Sequence, residues 1–328
     1  MKFIWIDDNP ERLTSAGNLA TALDFEYTFV DVKGREVSTE LKTLLEGAKP
    51  DLIIIDHNLI DSVKEDEKNK ILIRRGSSAA TIIRQTWKDC PIICISGMDA
   101  KDLDTQEKAI YEEIYSDHKI SDHYAEISSI AMSFSVLKEH KPENIDDFFK
   151  LLGCPESEKE KLKAIIPKDL KENFKDGGLI VEISNWVRKI LLNRPGFLYD
   201  RLWTSTYLGL NKSGFEKVEP IFENARYNGV FACKGNERWW KSELLRILGE
   251  TVKQPGLPGI KSRQLTGVVE GDYSRCYVTG ELLPETVAFI DETPNAKQEA
   301  MKLRETIDHN GFEKMLYFDE IRQMAAAE

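Results

Sequence analysis

Two stretches decide the fold: Phe3-Ile4-Trp5-Ile6-Asp7-Asp8-Asn9-Pro10 and Leu52-Ile53-Ile54-Ile55-Asp56. Each is a short apolar run closed by carboxylates. A strand buried on both faces reads this way, because neither face can afford alternating polar residues. Pro10 suits the first turn of a helix. Leu13, Ala16, Leu19, Ala20 and Leu23 then recur at helical spacing. Outward from these runs, Glu26 to Val32 alternates like a strand, Glu36 to Leu45 reads as a helix, and Ser77 to Trp87 reads as another. Pro91-Ile92-Ile93-Cys94-Ile95 is a third continuous apolar strand and leads into Ser96-Gly97. Apolar strands separated by amphipathic helices predict a parallel sheet covered on both faces. In such sheets ligands bind at the carboxyl ends of the strands, where Asp7, Asp8, Asp56 and Ser96 all fall.

These motifs resemble the receiver domain of response regulators over residues 1–152. Receivers end their first strand with an acidic pair and carry a phosphoacceptor aspartate after the third. They place Thr or Ser and a small residue after the fourth, and a lysine closes the fifth. The resemblance implies a five-stranded, parallel, doubly wound, flavodoxin-like sheet. It implies Mg²⁺ held by Asp7, Asp8 and Asp56, with Asp56 as phosphoacceptor and Ser96 bonding a phosphoryl oxygen. Three neighbouring carboxylates repel one another, and a hard divalent cation with oxygen ligands answers that repulsion. For the lysine, Ile130, Met132, Phe134 and Val136 alternate and are expected to form the fifth strand, which makes Lys138 the candidate; Lys119 is the alternative. Asn144 to Leu152 is expected as the final helix. The chain departs from the family where His57-Asn58-Leu59-Ile60 follows Asp56, where a charged loop runs from Asp61 to Arg75, and where Glu139 follows Lys138. Ser116-Asp117-His118 and Ser121-Asp122-His123 form a doublet that reads as an exposed loop rather than a metal site.

Composition bounds the rest. The 328 residues suit about two domains, 41% apolar content suits a soluble protein, and the net charge is −11. Residues 1–153 hold 19 basic and 29 acidic side chains, whereas 186–264 hold 14 and 7. The asymmetry predicts two domains with different partners. With no long apolar run, no membrane span or signal peptide is expected; five cysteines without a Cys-x-x-Cys pair suit a reducing cytoplasm. Residues 153–177 are expected as a linker with the first helices, and 178–328 as a mainly helical α+β output domain. Its helices are expected near 179–191, 197–208, 213–226, 237–249, 295–308 and 312–326, with a strand over 273–278. Arg226, Tyr227, Arg238, Trp240 and Lys241 interleave basic and aromatic side chains, a pattern that could grip phosphates and stack bases. The competing reading makes the tryptophans core and the basic residues solvated faces. Val269-Glu270-Gly271-Asp272 reads as a turn.

The functional expectation is a cytoplasmic signalling protein. Its receiver-like domain would take a phosphoryl group from a histidine kinase or phosphotransfer protein and control an output domain that binds protein or nucleic acid. No enzymatic activity is expected beyond self-phosphorylation from a donor and autodephosphorylation; a homodimer is open, and no membrane is involved. The alternative is a degenerate receiver serving as a scaffold or adaptor in a larger stress or antiviral defence complex.

Overall fold

In the computed structural model the described residues are 1–59, 75–97, 103, 105–174, 179–193, 196–276, 279–282, 287–290 and 299–302. The chain packs as two compact units. The first comprises Met1–Ile145 and Pro167–Asn185, the second Asp146–Ile166 and Trp186–Glu328. The segment 153–177 therefore contributes to both units.

The first unit is built on five parallel strands: β1 (Lys2–Asp7), β2 (Glu26–Asp31), β3 (Leu52–Asp56), β4 (Ile92–Ser96) and β5 (Glu113–Ser116), in the order β2-β1-β3-β4-β5. This is the flavodoxin-like order, whose switch point lies between β1 and β3. Every residue of β3 and β4 is buried. Helices α1 (Leu13–Leu23), α2 (Val37–Leu45) and α3 (Gly76–Thr86) flank the sheet, and α4 (Thr105–Lys108) precedes β5. Alternate strand residues serve opposite faces, so Ile4, Ile6, Ile53, Ile55, Ile92 and Cys94 pack with Val37, Leu41, Ala80 and Ile83 of α2 and α3. The first four strands and the three long helices between them appear within about two residues of their expected ends.

The fifth strand is where the structure corrects the sequence reading. Residues 130–138 are not a strand but the second half of α5 (Tyr124–Glu139). Its buried apolar residues are Ile127, Ile130, Ala131, Phe134 and Leu137, which recur every three or four positions; Met132 and Val136, half of the supposed alternation, are exposed. Three- and four-residue spacing marks one face of a helix. The real β5 is four residues long and sits at the sheet edge, with Glu113 and Ser116 among them. A short polar edge strand leaves little hydrophobic signal. It is anchored by the preceding Glu112, buried, which takes both oxygens to Arg84 Nη2 at 2.8 and 2.9 Å and accepts from the Ile92 amide.

The second unit carries α6 (Ile145–Leu151, from Asp146 onward) and α7 (Lys159–Ile165), while α8 (Lys168–Glu172) lies in the first unit. The expected closing helix of the receiver, 144–152, thus packs with the second unit. Helix α9 (Leu179–Trp186) runs into a π-helical turn, Val187–Leu191. Two expected helices begin instead as a two-stranded antiparallel pair, β6 (Leu198–Tyr199) with β7 (Trp239–Trp240), before α10 (Arg201–Tyr207) and α12 (Lys241–Thr251) start. The helix expected over 213–226 is α11 (Lys212–Val218) followed by a 3₁₀ turn, Glu219–Ala225. A last short helix is α13 (Pro258–Ser262). The core gathers Tyr199, Phe215, Phe222, Trp239, Leu244 and Leu248.

In place of the helix expected near 295–308, Glu299–Lys302 is strand β9, antiparallel to β8 (Val287–Ile290). Residues 303–328, including the expected helix 312–326, lie outside the described residues, as do 61–74 of the charged loop and 277–278 of the strand expected over 273–278. Within that stretch Tyr273 and Arg275 form isolated bridges, to Leu210 and Leu282. Among the described residues no helix is long and apolar enough to cross a membrane.

Candidate functional site

The site lies at the carboxyl ends of β1 and β3, the switch point of the sheet. Asp7 closes β1 and is fully buried; its Oδ2 accepts from Trp5 Nε1 at 3.0 Å and its Oδ1 from the Asn9 amide at 2.8 Å. Asp56 closes β3 and is buried too. Asp7, Asp8 and Asp56 each present an oxygen within 4.8 Å of the others. The three carboxylates expected from the sequence therefore meet in one cluster. Ser96 closes the neighbouring β4, fully buried, with Ser116 opposite it on β5.

Local backbone explains how the cluster is held. Asn9 caps the turn that follows, its Oδ1 accepting from the Glu11 amide at 3.1 Å, and Pro10 opens a 3₁₀ turn over Pro10–Arg12. On the other side, α3 begins against Asp56. A Cβ on Gly76 would stand 2.2 Å from the Asp56 carbonyl oxygen, so only glycine fits. The Gly76 amide donates to the His57 carbonyl at 2.8 Å, and the His57 amide to the Ile95 carbonyl at 2.8 Å. His57 is itself buried and knits β4 and α3 together through its backbone.

A cation that sequence reasoning misses stands in the cluster. Arg12 Nη1 donates to Asp7 Oδ2 at 3.2 Å and to Asp56 Oδ1 at 2.9 Å, while Nη2 donates to Asp117 Oδ2 at 3.0 Å. Ser116 closes β5, where the family pattern puts a lysine, and Asp117 follows it, so neither residue at this strand end is a cation. A signal exists in both cases: Arg12 closes the turn that starts at the acidic pair, and Asp117 belongs to the histidine doublet. Of that doublet, His118 is exposed, while His123 stacks on Tyr115 with ring centroids 4.4 Å apart and contacts Glu126 Oε2 at 3.0 Å.

Lys138 is not at the site. It lies on α5 near Asp89 and Cys90, at the amino end of β4, the opposite end of the sheet. Burial alone would raise the Asp89 carboxyl, but its bond and charge contact with Lys49, with Lys138 adding to them, hold it below the ordinary range. Lys119 is exposed on the 3₁₀ turn Asp117–His123. The expected lysine is displaced because the expected fifth strand is a helix.

Burial, then the negative charge of Asp7, pushes the Asp56 carboxyl up to about 6, against the opposing pull of Arg12. Burial likewise raises Asp7, although Trp5, Asn9 and Arg12 all favour its charged form. For Arg12 burial works the other way, yet Asp7, Asp56 and Asp117 outweigh it and hold the guanidinium firmly protonated. Hard oxygen donors at this spacing fit Mg²⁺, which would be held by Asp7, Asp8 and Asp56.

The basic and aromatic residues of the second unit behave differently. Tyr227 is buried with its hydroxyl donating to the Val230 carbonyl at 2.6 Å, and Trp240 is buried as well, so neither ring is available to stack on a base. Arg226 pairs with Glu219 at 2.9 Å and Glu223 at 3.0 Å, and its guanidinium lies 5.8 Å from the Trp239 ring centre. Arg238 donates to the Leu192 carbonyl and to Asn236 Oδ1. Lys241 lies over the rings of Tyr199 and Tyr207, at 5.4 and 5.1 Å. These contacts are internal. Asp272, in the turn read at 269–272, is buried and bonds Lys217 through both oxygens at 2.7 Å.

No family model matches the chain, and no curated protein matches it. Among solved structures it is similar to the N-terminal domain of a response regulator/sensory box/GGDEF three-domain protein from Carboxydothermus hydrogenoformans, at 11% identity, covering 42% of this chain and 98% of that one with a TM-score of 0.31. It is similar to a response regulator receiver domain protein from Clostridium thermocellum, at 15% identity, 42% and 96% coverage and a TM-score of 0.32. A third is the response regulator TrrA from Thermotoga maritima in complex with Mg(2+)-BeF, at 18% identity, 37% and 94% coverage and a TM-score of 0.27. These likenesses are of fold alone, and strand order and register carry the assignment. The N-terminal part of the chain has the flavodoxin-like fold of response-regulator receiver domains, and the C-terminal half is without a match in them.

Proposed function

We propose that this is a signalling protein whose first unit accepts a phosphoryl group on Asp56 and whose second unit, binding protein or nucleic acid, carries the output. The observation that supports this most is the Asp7–Asp8–Asp56 cluster at the switch point, with Asp7 and Asp56 buried and Asp56 raised to about 6. An Asp56 oxygen attacks the phosphorus of a phosphohistidine on a histidine kinase or phosphotransfer protein. The O–P bond forms as the P–N bond breaks, and the leaving imidazole takes a proton from solvent. A bound Mg²⁺ supplies charge neutralisation at the phosphoryl oxygens. Ser96 offers a hydroxyl beside Asp56, from the neighbouring strand end. The added group carries nearly two negative charges, enough to rearrange the charged contacts around it.

Intact-mass spectrometry after incubation with acetyl phosphate and Mg²⁺ tests this reading. Wild type gains one phosphoryl group and Asp56→Asn gains none. If wild type gains nothing and also fails to bind beryllofluoride with Mg²⁺, the phosphoacceptor reading is wrong.

The second reading, a receiver-shaped scaffold or adaptor, is favoured by one observation: Arg12 already answers part of the charge that a metal would answer. A scaffold would form a stable complex with its partner that is indifferent to Mg²⁺. For the output, nucleic-acid binding would weaken steeply with salt, whereas a protein partner held by apolar contacts would not.

A further inference from the structure

We infer that, among the described residues, Arg12 rather than Lys138 or Lys119 is the cation that bonds the phosphoryl group on Asp56, with Asp117 as the residue that positions it. The inference rests on the phosphoacceptor reading of Asp56 and adds to it a residue that the family pattern does not supply.

Three observations carry it. β5 closes with Ser116 and Asp117 follows it, so the strand end that would bring a cation brings a hydroxyl and then a carboxylate. Lys138 lies at the opposite end of the sheet, and Lys119 is exposed. Arg12, by contrast, enters from the β1–α1 turn with only 18% of its side chain exposed and bonds carboxylates from three separate strand ends.

The guanidinium suits the task. Its planar fork presents several donors in fixed directions and matches the oxygens of a phosphoryl group, where an ammonium acts as a point charge. Nη1 already bonds Asp56 Oδ1, the carboxylate that would carry the group. After transfer, phosphoryl oxygens replace that carboxylate oxygen as its acceptors. Nη2 keeps its bond to Asp117, which fixes the plane of the fork throughout.

A purely structural arginine would not behave as Arg12 does toward two ligands. Before transfer Arg12 and a divalent cation compete for the same oxygens of Asp7 and Asp56. Arg12 therefore weakens metal binding but strengthens binding of a phosphoryl group. Removing it shifts the two affinities in opposite directions.

The experiment uses the full chain and two probes. Mn²⁺ binding is followed by electron paramagnetic resonance, and beryllofluoride binding at saturating Mg²⁺ by fluorine NMR. In Arg12→Ala, Mn²⁺ affinity rises about threefold or more while beryllofluoride affinity falls about tenfold. Arg12→Lys, which keeps the charge and guards against misfolding of the alanine variant, falls between wild type and Arg12→Ala on both. Asp117→Asn lowers beryllofluoride affinity less than Arg12→Ala does, and Lys138→Ala changes neither. Wild-type binding of both probes with unchanged beryllofluoride affinity in Arg12→Ala and Arg12→Lys overturns the role of Arg12 and leaves Asp56 standing. Failure of wild type itself to bind beryllofluoride overturns the phosphoacceptor reading, and the inference with it.

Discussion

Two of the arginine–carboxylate clusters among the described residues are built to opposite ends. In the first unit one guanidinium, Arg12, is shared by Asp7, Asp56 and Asp117, with Asp8 close by. In the second unit two guanidiniums serve one carboxylate: Arg201 reaches Glu219 at 2.6 and 3.0 Å, and Arg226 reaches it at 2.9 Å while also pairing with Glu223. Both arginines lie against Trp239, 5.7 and 5.8 Å from its centre. The second cluster is balanced in charge and stacked on a fully buried ring. In the first, burial and then the neighbouring charge of Asp7 raise the Asp56 carboxyl to about 6 in spite of Arg12. That difference is what the proposal of a ligand at the first cluster rests on.

The frame around the pocket is as tight as any core, and the largest effect is expected there. Gly76→Ala forces a methyl into the Asp56 carbonyl and costs about 3 kcal/mol in urea denaturation. A loss under about 0.5 kcal/mol would show that α3 can back away from the site.

Next comes the balanced cluster. Glu219→Ala strips both arginines of their shared partner and costs about 2 kcal/mol, less than a fully buried pair because each arginine side chain is about one-third exposed. No change on denaturation would mean that the cluster is decorative and the comparison empty.

The smallest effect is expected at the discarded lysine. Lys138→Ala shifts stability by less than about 0.5 kcal/mol and leaves the phosphoryl adduct intact in mass spectrometry. Loss of the adduct would restore Lys138 to the site against the observed topology.

What is legible in the sequence divides along the same line. Buried strands such as Leu52–Asp56 announce themselves because both faces are apolar, and carboxylates at their ends follow from the chain alone. The fifth strand does not, since four half-polar residues at a sheet edge look like loop, while Ile130, Met132, Phe134 and Val136 mimic a strand when every second residue is read. That single error moves the lysine to the wrong end of the sheet. Arg12 is hidden for another reason: its role depends on where Asp56 and Asp117 arrive, 44 and 105 residues further on. In the second unit, Trp239-Trp240 reads as helix by composition, yet pairing with Leu198-Tyr199 makes it a strand. The basic–aromatic pattern there reports packing of cations on rings within the unit rather than a surface for bases.

The most direct test of the central claim is the stability difference between wild type and Asp56→Asn from pH 4 to pH 8. A carboxyl raised from 3.8 to about 6 binds its proton more readily folded than unfolded. Its cost to the fold is therefore absent below about pH 4, builds as pH rises through about 6, and is fully present above it. Each tenfold gain in proton affinity on folding corresponds to about 1.4 kcal/mol. On that scale Asp56→Asn should be more stable than wild type by on the order of 2 kcal/mol at pH 8, with the gain vanishing toward pH 4. A difference that is flat across this range, or a variant less stable than wild type at pH 8, would contradict the picture of Asp56 as a carboxylate held under charge strain.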